Sequence, residues 1–171
     1  SYYAFPFILL LAIFKSIINS QTILISAFNG MSLSVAFISC YLIVKELVNA
    51  KKVREKKILE YSSVLAGLFY IFSPYLINGW DKVLLTHNQV FLNPLMFFLL
   101  LRFFLTHNIR YLLGLLLVTF IFAPNFSYVA APAFFSFYPL SFIFLLIYTK
   151  YIRKSAIPVK GLFIGGVLFI L

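Results

Sequence analysis

Residues 111–149 read YLLGLLLVTFIFAPNFSYVAAPAFFSFYPLSFIFLLIYT, a run of 39 positions without a charged side chain. The hydrocarbon core of a bilayer is about 30 Å thick, and about 20 helical residues cross it. The run is therefore about twice as long as one crossing requires. It predicts two membrane helices joined by a turn at 124–128, where Pro124 would stop the first helix and Asn125 and Ser127 would supply polar groups.

The rest of the chain has the same character. Its 171 residues are 63% hydrophobic and 11% charged, with a mean hydropathy of +1.04, whereas soluble domains carry about 25% charged residues. A membrane-spanning helix satisfies its own backbone hydrogen bonds, so helices are expected throughout. The predicted fold class is all-α, a polytopic transmembrane bundle of about six to seven helices that forms a single domain over 1–171.

The apolar runs predict membrane helices at 2–18, 22–46, 58–77, 90–105, 111–124, 128–149 and 161–171. The first of these either spans the bilayer or lies at its interface. The chain starts within two residues of an apolar run and stops inside another, so we expect a fragment of a longer protein. Cys40, the single cysteine, lies inside an apolar run and is expected to serve packing.

The second predicted helix carries a stripe of small and weakly polar residues at spacings of three and four, formed by Ser26, Asn29, Ser32, Ala36 and Ser39. Close packing of small residues and interhelical hydrogen bonds hold membrane bundles together. The stripe is therefore predicted to face other helices. A polar path for a substrate is the alternative interpretation.

The basic residues fix a predicted orientation. With 45–60 inside, twelve of the fourteen Lys and Arg residues fall in 45–60, 102–110 and 150–160, while Lys15 and Lys82 fall outside. The positive-inside rule then makes those three segments cytoplasmic and makes 73–90 and 124–128 extracytoplasmic. This distribution explains the net charge of +10 by membrane orientation, so no nucleic-acid partner is expected. Membrane lipids are the expected surroundings.

One outer stretch, 72–94, clusters polar residues between two apolar runs and reads FSPYLINGWDKVLLTHNQVFLNP. Asp81 is the one acidic residue on the predicted outer side, which makes it a weak candidate for a catalytic base, a metal ligand or a cation partner. A solvated ion pair with Lys82 is the simpler interpretation. His87 could titrate or bind a phosphate oxygen. The tetrapeptide LTHN recurs twenty positions later, which places His87 and His107 about one bilayer thickness apart, so they cannot share a metal.

Several short sequence motifs follow one another along the chain in an order that resembles a known family. In order they are YYAFPFILLLAIF, NGMSLSVAFISCYLIVKEL, YIFSPY, THNQ, NPLMFFLLLR and NFSY, with a basic loop after the second. This order resembles the central transmembrane region of the GT-C type polytopic membrane glycosyltransferases, including the arabinofuranosyltransferase-like and oligosaccharyltransferase-like proteins of bacteria and archaea. The resemblance covers roughly 2–148.

The resemblance implies a plasma-membrane enzyme that transfers a sugar from a polyprenyl-phosphate donor to an acceptor on the extracytoplasmic face. Such an enzyme uses an acidic residue to deprotonate the acceptor or to hold a divalent metal. In the family these acids lie mainly in a large outer loop before the matched part, so the catalytic base stays unassigned. By the resemblance, His87, Lys82 and Asn88 would lie near the lipid phosphate, and Asp81 would help to structure the outer pocket.

Two other functions stay open. A transporter or flippase would place ionisable residues inside the crossings, near the midplane. The predicted crossings offer only Lys15, Asn29 and small hydroxyls there, which disfavours transport. A non-catalytic membrane subunit that packs beside an enzyme is the third possibility.

Overall fold

The computed structural model describes residues 5–49, 56–77, 88–122, 131–155 and 157–158. Within these residues every regular element is helical, so the all-α prediction is confirmed. In chain order the elements are α1 Phe5–Ile17, α2 Gln21–Asn49, α3 Lys56–Ile71, α4 Pro74–Ile77, α5 Asn88–Thr106, α6 Ile109–Ile121 and α7 Ala131–Ile147, which a π-helical segment, Tyr148–Ile152, continues.

The helix bounds differ from the predicted ones at several ends. The stretch 58–77, predicted as one helix, is divided into α3 and α4. The Ser73 carbonyl accepts from the Leu76 and Ile77 backbone N–H groups at 2.9 and 3.1 Å, which starts α4 anew. Pro74 lacks an N–H and cannot continue the hydrogen bonds of α3. The predicted turn at 124–128 and the predicted helix at 161–171 lie outside the described residues.

α2 and α3 pack as a close antiparallel pair. A Cβ built on Gly67 would lie 2.6 Å from Phe37 Cδ2 and 3.1 Å from the Phe37 carbonyl oxygen, so no larger residue fits without movement. One turn earlier on α3, Ser63 is fully buried, and its hydroxyl donates to the Leu59 carbonyl at 2.7 Å. Small residues thus let the two helices approach each other closely.

The predicted packing stripe of α2 is confirmed at three of its five positions. Asn29, Ala36 and Ser39 are buried, with 6%, 0% and 3% of their surfaces exposed. Ser32 is half-buried, and the prediction is wrong for Ser26, which is exposed. Because α3 pairs antiparallel with α2 at Gly67 and ends four residues later, it does not reach the level of Ser26.

The largest core cluster lies where α5 meets α6 and α7. Phe103 and Phe104 are essentially fully buried, as is Met96 about two turns earlier. Phe104 makes an edge-to-face contact with Phe142 at 5.6 Å between ring centroids. The buried members of the cluster are Leu92, Met96, Leu100, Leu101, Phe103, Phe104, Leu112, Leu115, Leu145 and Tyr148.

A tight turn joins α5 to α6 and is made by the second LTHN copy. His107 takes a left-handed conformation with φ 56°, which ends α5. Asn108 then caps α6, because its side-chain oxygen accepts from the Arg110 backbone N–H at 3.0 Å. Asparagine is among the preferred residues at this position. The turn brings the last turn of α5 beside the first turn of α6.

α2 contains the clearest candidate for a membrane crossing. Among the described residues, Gln21–Val48 is the one helical stretch that is long and apolar enough to cross a bilayer, with 28 residues and a mean hydropathy of 1.8. Of its apolar window, 22% is buried. The other apolar helical stretches are shorter than 18 residues: Phe5–Ile17, Leu92–Thr106, Ile109–Ile121 and Pro139–Ile152.

Large apolar side chains cover the outside of several helices. Phe69 on α3 is 85% exposed, and Phe120 on α6 and Leu140 on α7 are 66% and 65% exposed. On α3, Phe69 forms a continuous face with Leu65 and Leu68, which Phe72 extends just beyond the helix. Contiguous apolar patches of this kind are rare on soluble monomers and mark surfaces that contact lipid or another protein.

Candidate functional site

The residues predicted to bind a lipid phosphate lie at the edge of what the structure describes. Asp81, Lys82 and His87 fall outside the described residues. Asn88 is the first residue of α5, but its side chain also lies outside the described part. Their roles stay predictions. The described residues instead bring polar groups together at two other places, one at each end of α2.

The first place is an ion pair between the last turns of α2 and α5. The Arg102 Nη1 group donates to Glu46 Oε1, and these side chains are 29% and 26% exposed. Glu46 is three residues from the end of α2, and Arg102 is four from the end of α5. Salt and solvent screen the attraction within a partly buried ion pair less than they screen that of a surface pair. It therefore fixes these two helix ends against each other.

Tyr111, from the first turn of α6, completes the Arg102 cluster, which we define as Glu46, Arg102 and Tyr111. Its hydroxyl accepts from Arg102 Nε at 3.3 Å and from Nη2 at 3.1 Å. The guanidinium carbon lies 5.3 Å from the centre of the tyrosine ring, within cation–π range. Arginine is always charged and has five donors, so one side chain connects three helices.

A separate hydrogen bond joins the π-helical segment to the same end of the bundle. The Tyr148 hydroxyl donates to the Leu47 carbonyl at 3.2 Å. Leu47 lies in the last turn of α2, where carbonyls have no partner within the helix. The ends of α2 and α5, the start of α6 and the continuation of α7 therefore meet at one level. The three segments predicted to be cytoplasmic, 45–60, 102–110 and 150–160, all begin or end there.

Sequence reasoning counted Arg102 only as a charge that orients the chain, and it placed Glu46 only in the inner basic loop. Both residues follow long apolar runs at the predicted inner boundary, and they have opposite signs. That arrangement was a usable signal for pairing, but it needed the contact between α2 and α5 to select these two residues. Tyr111 could be paired with Arg102 only once the turn at His107 was known to be tight.

The second place is a cavity of about 380 Å³ between the end of α1 and the start of α2, which we call the α1–α2 cavity. Its polar lining consists of Lys15, Asn19 and Gln21. Its apolar walls are Ile8, Leu11, Ala12, Ile18 and Leu24. Within the described part of the chain, the side chains of Lys15, Asn19 and Gln21 have no hydrogen-bond or ion-pair partner.

Aromatic contacts hold α1 in place beside the cavity. Phe7, which is 2% exposed, packs edge-to-face on Phe28 of α2 at 5.9 Å between ring centroids. It also contacts Phe122, just beyond α6, at 5.7 Å. Phe122 lies at the opposite end of α6 from Tyr111. The α1–α2 cavity and the Arg102 cluster are therefore at opposite ends of the bundle.

A smaller cavity of about 300 Å³ lies between α2, α3 and α5. Cys40 and Asn93 line it, with Tyr70, Pro94, Ile43 and Phe97. Cys40 is half-buried and has a free thiol, in keeping with a packing role. In the described residues, no three His, Cys, Asp or Glu side chains come together in a way that could hold a metal ion.

Comparison with known protein families, with characterised proteins and with solved structures finds no match to this chain. These comparisons therefore give no support to the resemblance between the short sequence motifs and the GT-C type glycosyltransferases.

Proposed function

We propose that this chain is a polytopic membrane protein in which the Arg102 cluster lies at the cytoplasmic side and the α1–α2 cavity at the outer side. The observation that carries the proposal is the meeting of the three basic segments at one end of the bundle, beside the Glu46–Arg102 pair. A membrane protein keeps its basic loops on the cytoplasmic side. The exposed apolar faces of α3, α6 and α7 suit contact with lipid.

Labelling of single cysteines tests this orientation. In a Cys40→Ser background, Asn19→Cys should react with a membrane-impermeant maleimide in intact cells, because Asn19 is exposed at the outer end. Lys57→Cys and Thr106→Cys, also exposed, should react only after the membrane is opened. Labelling of all three in intact cells, or release of the protein from membranes by alkaline carbonate, would contradict the proposal.

For activity, we propose transfer of a sugar from a polyprenyl-phosphate donor to an acceptor on the outer face. The support for this step is the resemblance of the short sequence motifs to GT-C type glycosyltransferases. His87, Lys82 and Asn88 would contact the lipid phosphate. Asp81 would structure the outer pocket, and the catalytic base would come from outside these residues.

An assay of the whole protein in membrane vesicles tests the proposed activity. With a radiolabelled polyprenyl-phosphate sugar as donor, His87→Ala and Lys82→Ala should lower transfer about tenfold or more, since each would remove a charged or hydrogen-bonding contact to phosphate. Lys57→Ala, on the opposite side, is the matched control and should leave transfer unchanged. Equal rates of sugar transfer by all three variants would contradict the proposed phosphate contacts.

A non-catalytic membrane subunit is the second candidate. The Arg102 cluster favours it, because its charged side chains contact one another and hold three helices together. The subunit interpretation predicts that transfer by the assembled enzyme survives substitution of Asp81, Lys82 and His87. Transfer that requires those side chains would exclude it.

A further inference from the structure

We infer that the α1–α2 cavity binds the phosphate head group of an anionic phospholipid from the outer leaflet. The inference rests on the membrane placement proposed above, although it does not depend on sugar transfer. Its basis is the combination of one unpaired cation, two unpaired amides and apolar walls around a single cavity.

The charge of the cavity selects the ligand. Lys15 contributes a positive charge, and no Asp or Glu lines the cavity. The side-chain amides of Asn19 and Gln21 can each donate two hydrogen bonds. In the described residues none of these donors is used by the protein. A phosphodiester has one negative charge and several acceptor oxygens, and so complements this lining.

The shape of the cavity selects an amphiphile over a free anion. Its volume of about 380 Å³ lies within the range of small-molecule sites. Five of the eight lining residues are apolar, and Ile8, Leu11 and Ala12 lie on α1 within two turns before Lys15. An acyl chain could follow these side chains while the phosphate remains beside Lys15, whose long stem lets its ammonium group reach the head-group level.

Native mass spectrometry of the whole protein in detergent tests the inference, with phosphatidylglycerol as the probe and phosphatidylcholine as the neutral comparison. The wild-type protein should retain phosphatidylglycerol in preference to phosphatidylcholine. Lys15→Gln should bind it about fivefold more weakly, in line with the contribution of one lysine near anionic lipid. Lys57→Gln, an equal charge change at the other end of the bundle, should bind it as wild type does.

A second variant separates the cavity from simple surface charge. Ala12→Phe places a ring in the cavity, keeps Lys15 and changes an exposed residue, so the fold should tolerate it. It should also weaken the retention of phosphatidylglycerol. Unchanged retention in Ala12→Phe would overturn the inference, as would equal retention in wild type and Lys15→Gln or equal competition by inorganic phosphate.

The failure of this inference can be told from the failure of the membrane placement. If only the inference is wrong, the protein remains in membranes after carbonate extraction and binds both lipids equally. If the placement is wrong, the carbonate wash releases the protein.

Discussion

The two ends of the bundle use polar side chains in opposite ways. At one end, Arg102 contacts Glu46 and Tyr111, so its charge and its donors serve contacts between helices. At the other end, Lys15 lines an open cavity without an acidic partner in the described residues. A paired charge stabilises contacts between helices, whereas an unpaired one is available to a ligand.

The largest loss of stability should follow from Arg102→Ala. This variant leaves Glu46 partly buried without its cation and removes both hydrogen bonds to Tyr111. The free energy of unfolding should fall by about 3 kcal/mol. This is the low end for a broken buried pair, because both side chains are partly exposed. Chemical denaturation in detergent micelles measures it. The exposed Arg110→Ala is the control and should change stability by less than about 0.5 kcal/mol. Similar losses in both variants would mean that the Arg102 cluster does not hold the helices together.

The next largest effect is expected at the contact of α2 with α3, between the two ends. Gly67→Ala forces the Phe37 ring and the α2 backbone to move, and overpacking of this kind costs about 2 kcal/mol. Gly114→Ala is the matched control, because its nearest contact, Leu99 Cδ2, would lie at an ordinary 3.6 Å. Unfolding in the same micelles compares them. A neutral Gly67→Ala would show that α2 and α3 pack less closely than described.

Tyr111→Phe should have a smaller effect that isolates one part of the Arg102 cluster. The variant keeps the ring beside the guanidinium and removes only the hydroxyl acceptor, so a loss of about 1 kcal/mol is expected. A double-mutant cycle with Arg102→Ala measures the coupling. Additive losses in the cycle would mean that the hydroxyl and the guanidinium do not interact.

The smallest effect on stability should come from Lys15→Gln, at the opposite end of the bundle from Arg102. No protein partner is lost within the described residues, so unfolding in detergent without anionic lipid should change by less than about 0.5 kcal/mol. Addition of phosphatidylglycerol should stabilise wild type more than the variant, because a ligand stabilises the state that binds it. A loss near that of Arg102→Ala would place Lys15 among the structural charges.

Sequence reasoning found the helices because long apolar runs and prolines are local signals. It found the buried stripe of α2 at Asn29, Ala36 and Ser39 from spacing alone. It extended the third predicted helix to Ile77, although Pro74, which lacks a backbone N–H, starts a separate helical turn. For the candidate site, it assigned Lys15 and Arg102 to opposite sides, but it gave neither a partner nor a cavity. Those depend on which helices touch.

The sequence by itself determined the all-helical class, the apolar surface and the segregation of basic residues into three segments. Each follows from composition and periodicity, which are properties of neighbouring positions. The tertiary structure alone decided that Arg102 meets Glu46, 56 residues earlier, and that Tyr148 meets Leu47, 101 residues earlier. It also decided that Lys15 has no such partner among the described residues. The physical reason is that a charge is structural or available according to what packs beside it in space.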